Sequence, residues 1–175
     1  LAATLLSDMD DTDKMQIFWK DALANGVAVL PPDVNASEYR FVPVKDAYSA
    51  QGKPPRTIRY GLGAVKGAGE AAIHAIVAAR QAGGVFKSLF DFCKRVDRST
   101  LNRRTLEALI KAGAFDSIDP NRAALLATVA KAMEAADQVA RNAHQVSLFD
   151  DTSDDLIELE LEQVPEWDLQ TKLRQ

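Results

Sequence analysis

Apolar residues recur with two different periods along this chain, and the change of period divides it. In residues 39–44 (YRFVPV) and 56–60 (RTIRY) apolar and polar positions alternate, as in strands with one buried face. The segment SAQGKPP between them carries Gly and Pro, so a hairpin with a long loop is predicted. Another short strand is expected in VAVLPPDVN, ended by Pro31 and Pro32. From Gly61 onward the spacing turns helical. Residues 70–81 make an Ala-rich helix stopped by Gly83 and Gly84. Ser88 caps LFDFCKRV, with Asp91 three residues on completing a capping box, and Asn102 caps RRTLEALIKA, which Gly113 stops. Asn121 opens a long helix whose Leu125, Leu126, Val129, Met133 and Ala136 share one face.

At the two ends the pattern is less complete. DDTDKMQIFWKDALANG reads as a capped helix, with Asp13 and Gln16 at capping-box spacing and Gly26 as its stop. Past His144 the helical repeat fades. LIELELEQV alternates without an obvious partner, and PEWDLQTKLRQ reads as the approach to a further domain. The opening LAATLLSDMD resembles the tail of a helix with no initiator Met, so a piece of a longer protein is expected. The predicted class is mainly α with a small β-hairpin.

With 175 residues, 47% of them apolar, there is enough material for a real core and global disorder is excluded. No apolar run reaches the roughly 18–20 residues of a membrane span. Cys93 is the one cysteine, which rules out an internal disulfide and suits a reducing cytosol, with a buried spectator thiol as its expected role. Net charge changes the picture more. The overall −4 divides into −4 over residues 1–50, +8 over 51–111 and −8 over 112–175. A basic block flanked by acidic ones is the pattern of a local phosphate-binding surface.

Within that block, YGLGAVKGAGEAAIHAIVAAR has the form of a helix-hairpin-helix element. Gly67 and Gly69, lacking Cβ, can take positive φ and bring backbone amides close to an anion. The helix that follows points the positive end of its dipole the same way, and Lys66 adds a point charge. LNRRTLEALIKAGAFDSI is a second, more degenerate hairpin with Arg103 and Arg104 in its first turn, where cations oppose the helix dipole and an external anion would repay them. Such elements contact backbone, so duplex shape is read without sequence. The cluster Asp8, Asp10, Asp11 and Asp13 lacks the Gly and Glu of an EF-hand loop and is read as helix capping. His74 and His144 have no Cys or His at ligand spacing, so no metal site is predicted, and no Ser/His/Asp arrangement or P-loop is present. In HQVSLFDDTSDD, Leu148 and Phe149 sit in an increasingly acidic, aperiodic segment, which points to burial by something outside the chain.

DMDDTDK, LPPDVNASEYRF, IRYGLGAVKGAGE, GGVFKSLFDFCKRVD, LNRRTLEALIKAGAFD and NRAALL occur in that order. Together they resemble the alpha subunits of the bacterial replicative DNA polymerase III family over essentially the whole chain. The resemblance implies a helix-hairpin-helix bundle following a short α/β remnant of a fingers domain. Residues 1–55 would be the end of the fingers, 56–149 a duplex-binding and clamp-binding domain with two helix-hairpin-helix elements, and 150–175 an acidic linker into a C-terminal domain. It implies a parent DNA-directed DNA polymerase that uses palm carboxylates and Mg²⁺. That palm motif is absent from this sequence, so no catalytic residue, metal or cofactor is assigned to it. Expected partners are double-stranded DNA, the sliding clamp (beta subunit) and other replicase subunits, in the cytoplasm and away from membranes. Lys66, Gly67, Gly69, Arg103 and Arg104 would meet the DNA backbone. Gln145, Leu148 and Phe149 fit the Q-x-x-L-F form that engages the clamp. An error-prone paralogue, a helix-hairpin-helix repair enzyme and a scaffold module are the alternatives, and the intact QVSLF favours the replicative form over the paralogue.

Overall fold

The computed structural model describes residues 20–22, 24–44, 57–146 and 160–174. The Asp13–Gln16 capping box, the Asp8–Asp13 cluster, the SAQGKPP loop, Leu148 and Phe149 lie outside the described residues, as does the side chain of Gln145.

Three short strands form one sheet: β1 (Ala28–Leu30), β2 (Val42–Pro43) and β3 (Thr57–Arg59). β3 lies in the middle. It pairs antiparallel with β2, Val42 opposite Arg59, and parallel with β1, Val29 opposite Ile58. The expected hairpin is therefore present, with Val42 and Pro43 of YRFVPV in the ladder and the Val44 amide donating just beyond them to the Thr57 carbonyl at 2.9 Å. The parallel partner was not foreseen. Phe41 and Ile58 are buried beneath the sheet, and the Phe41 and Tyr60 rings meet edge-on at 4.7 Å.

Beyond β3 a single 3-10 turn (Leu62–Ala64) leads into four helices. These are α1 (Glu70–Gly83), α2 (Leu89–Arg95), α3 (Arg103–Lys111) and α4 (Arg122–Val146), with a short α5 (Leu169–Arg174) at the end. Local chemistry sets the boundaries as predicted. Ser88, Asn102 and Asn121 each accept a hydrogen bond from the amide three residues on, at 3.0, 2.8 and 3.1 Å, contacts worth about 1 kcal/mol apiece. Gly84 (φ 76°) and Gly113 (φ 82°) follow the last turns of α1 and α3. The Ser88 box differs in one detail: the Asp91 carboxylate accepts from the Lys87 amide rather than from Ser88, and also binds Arg95.

The core is one cluster between α4 and the helices packed on it. Phe92 sits at its centre, with Phe86 and Phe115 each 4.9 Å away in edge-to-face contact. Leu106, Leu109 and Ile110 of α3 and Leu125 and Val129 of α4 complete it. Cys93 is buried here, its thiol pushed up to about 12 by burial. Residues ahead of the sheet hairpin join the same cluster through Val34, whose amide bonds the Ala114 carbonyl at 2.8 Å. Asn35 and Phe86 exchange two hydrogen bonds, at 2.7 and 3.0 Å. Among the described residues no helix is long and apolar enough to cross a membrane.

The chain after residue 159 returns to α4. Leu161 packs on the core, the Glu162 amide donates to the Thr128 hydroxyl at 2.9 Å, and Asn121 donates to the Val164 carbonyl at 2.8 Å. Thr128 is buried and its hydroxyl also bonds the Ala124 carbonyl, while Lys131 pairs with Glu162. Residues 160–164, the described part of LIELELEQV, thus form a strap laid along a helix, not a strand in a sheet.

Candidate nucleic-acid interface

The basic block does not act as one surface. Arg80 bonds the Val34 and Ser37 carbonyls and Glu38, tying the segment after β1 to α1. Arg95 caps the end of α1 through the Ala79 and Gly84 carbonyls, pairs with Asp91 and lies over the Phe86 ring at 4.5 Å. Arg98 pairs with Asp137. These three guanidiniums hold elements of the fold together. Composition could not separate them from ligand-binding cations, because their partners are remote in sequence.

Three cations remain that have no carboxylate partner among the described residues and face one groove: Lys66, Arg104 and Lys111. The groove has a volume of about 640 Å³. Pro31 and Pro32 form one wall, residues 64–67 another, and the face of α3 bearing Arg104, Ala108, Lys111 and Ala112 the third. Arg59, Lys87 and Lys94 also lack acidic partners among the described residues but do not line it.

Backbone geometry fixes the groove. At Gly67 φ is 91°, a left-handed conformation that L side chains rarely adopt, and a Cβ there would lie 3.6 Å from that of Ala108. The Thr105 hydroxyl donates to the Gly67 carbonyl at 3.3 Å, fastening the first turn of α3 to the hairpin. Gly61 packs so tightly on the backbone of residues 39–41 that a Cβ would sit 2.6 Å from Arg40, and this contact sets the 3-10 turn against β2. Arg122 anchors the far end of α3 by donating to the Lys111 carbonyl at 3.1 Å while gripping Asp116 through two nitrogens.

One sequence expectation, at Gly69, needs correction, and one residue, Lys111, needs addition. Gly69 does not take positive φ. It is the N-cap of α1 at φ −67°, where its lack of a side chain instead leaves open space before the helix end. No side chain caps that end, unlike α2, α3 and α4. The first helix of the hairpin is reduced to the single 3-10 turn. Of the two arginines opening α3, Arg104 reaches the groove, whereas Arg103 does not line it and pairs at 2.6 Å with Glu107, one turn on. Lys111 was not singled out from sequence. Its signal was available: it follows Arg104 by seven residues and so shares its helix face. His74 is exposed, stacked on Tyr39 and close to Glu70, away from the groove.

Comparison with known proteins adds a family. Residues 26–125 match the model of the helix-hairpin-helix motif. The chain is 51% identical over 173 residues to DNA polymerase III subunit alpha of Neisseria meningitidis serogroup B, covering 99% of this chain and 14% of that protein. The same subunit of Vibrio cholerae is 42% identical over 177 residues, again 99% and 14%. That of Haemophilus influenzae is 46% identical over 142 residues, 81% of this chain and 12% of that protein. The chain thus spans about one seventh of the length of the curated relatives it matches.

Proposed function

This chain belongs to the helix-hairpin-helix family, in the form found in DNA polymerase III alpha subunits, and from that premise we propose that it holds duplex DNA by its backbone and tethers a replicative polymerase to its sliding clamp. One observation carries the DNA half: Lys66, Arg104 and Lys111, unpaired among the described residues, converge on one groove beside the left-handed turn at Gly67. Lys66 offers a compact charge and Arg104 a planar fork suited to phosphate oxygens. The uncapped first turn of α1 adds unsatisfied amides next to the same hairpin. None of these groups carries a pattern matched to base edges, so the contact is independent of sequence. Nucleotide addition, with its Mg²⁺, belongs in this reading to other parts of the longer protein.

Neutralising three phosphates releases their counterions, so log affinity should fall with log salt at a slope of about −2.7 or steeper. Two duplexes of unrelated sequence should bind within about twofold of each other. Fluorescence anisotropy over a salt series measures both. A flat salt response, or a strong preference for one sequence, counts against the groove as a backbone site.

The clamp half rests on Gln145, Leu148 and Phe149 in the Q-x-x-L-F arrangement. It is supported by where α4 goes. Ala136 is the last buried residue described on that helix, Arg141 and Asn142 are exposed, and the helix runs on to Val146, about 15 Å further. The backbone of Gln145 therefore lies beyond the last buried residue described on α4. Seating Leu148 and Phe149 in an apolar pocket contributes roughly 1.5–3 kcal/mol each before ordering costs, which suits an exchangeable tether. Replacing both with Ala should abolish retention on an immobilised clamp ring while stability changes by less than about 0.5 kcal/mol. Retained clamp binding would remove this half of the proposal.

A further inference from the structure

The solvent face of α4 carries polar side chains that the core does not use. Gln138, Arg141 and Asn142 are exposed there, turned away from the buried face of Leu125, Val129 and Ala136. Among the described residues their side chains bond to one another. The Arg141 guanidinium donates to the Gln138 side-chain oxygen at 3.2 Å, and the Gln138 amide donates to the Asn142 oxygen at 2.9 Å. An amide oxygen is a weak partner for a full charge, and this one takes up a single N–H of the guanidinium's five. Asp137, one turn before Arg141, is taken by Arg98 at 2.9 Å. Arg141 therefore has no carboxylate partner among the described residues, although residues 112–175 carry a net charge of −8.

Resting on the tethering reading above, we propose that this face of α4 is a second contact for the clamp, in which Arg141 meets a carboxylate beside the pocket that takes Leu148 and Phe149. Helical register supplies the geometry. Gln145, the first residue of the Q-x-x-L-F peptide, follows Arg141 by four residues in a helix described to Val146. Its backbone stands about 6 Å further along the same side of the rod. A partner seated on the peptide is thus brought alongside Arg141. There the planar guanidinium can meet a carboxylate through two parallel bonds. The DNA groove does not compete for this cation. Arg141 does not line it, and α3 turns Arg104 and Lys111 away from the core that its Leu106, Leu109 and Ile110 share with α4. A charge at the rim of an interface acts mainly on the association rate and on its salt dependence.

The test uses the 175-residue chain on an immobilised clamp ring, without DNA, over a salt series. Arg141→Gln should slow association about three- to fivefold at low salt and flatten its salt dependence, with dissociation nearly unchanged. Arg141→Glu, which replaces attraction with repulsion, should slow it about tenfold. Arg141→Lys keeps the charge without the planar fork and should fall between the wild type and Arg141→Gln. If the wild type binds and both Arg141→Gln and Arg141→Glu associate at its rate at every salt, the proposal is overturned. A loss of duplex affinity in Arg141→Glu with clamp association intact also overturns it, because the residue then serves DNA. Failure of the wild type to bind the ring, or binding that survives replacement of Leu148 and Phe149 with Ala, is a different result. It removes the tether, and this contact along with it.

Discussion

Replacing Lys66, Arg104 and Lys111 together with Ala is expected to weaken duplex binding by roughly two to three orders of magnitude. Each exposed side chain supplies a contact worth about 1–1.4 kcal/mol, and three such losses amount to a factor of roughly a hundred to a thousand. The salt slope should shallow by about 2.7 at the same time, since three counterions are no longer released. Stability should move little, because Lys66 and Arg104 are exposed and the three have no carboxylate partner among the described residues to leave behind. Arg80→Ala is the informative contrast. It removes the same charge from the same stretch of sequence, but it breaks hydrogen bonds to Val34, Ser37 and Glu38. It should destabilise the fold and leave the salt slope intact. If the triple variant binds as tightly as the wild type, the groove is not the DNA site.

Phe92→Ala is expected to remove about 3–5 kcal/mol of stability, a large part of what a domain of this size commonly has. The residue is fully buried and is the middle ring of three, so truncation opens a cavity and breaks two edge-to-face contacts at once. In urea the midpoint should fall by about 2 M for a typical slope. Phe92→Leu keeps most of the volume and should lose considerably less. A loss below about 1 kcal/mol for Phe92→Ala would mean that the three-ring stack does not organise the core.

Helix ends were legible in the sequence because the chemistry that makes them is local. Ser88, Asn102 and Asn121 each bond an amide three residues away, and Gly84 and Gly113 stop the chain where they stand. What escaped was set by distant partners. The parallel pairing of β1 with β3 joins residues far apart along the chain and leaves no mark on their alternation. The strap at residues 160–164 finds its partner in the Thr128 hydroxyl, a side-chain contact that no strand pattern announces. The candidate site was half legible. Lys66, Gly67 and Arg104 follow from the hairpin motif, and the fold brings them together. The excess of arginine around them gave no such guidance: Arg95 and Arg103 look alike as sequence, yet one locks two helices and the other pairs with a carboxylate on its own helix.

The strap also governs how far a load can travel. The described part of α4 ends at Val146, and the described residues 160–164 lie beside Thr128, about 27 Å back along the same rod. Phe149 comes only three residues after that tip, within about 10 Å of it by bond geometry alone. Under the proposed tethering, a partner that grips the peptide there would pull on a stiff lever. The lever's other end is packed against the helix bearing Arg104 and Lys111, so in that reading drag at one end would be felt as torque at the other.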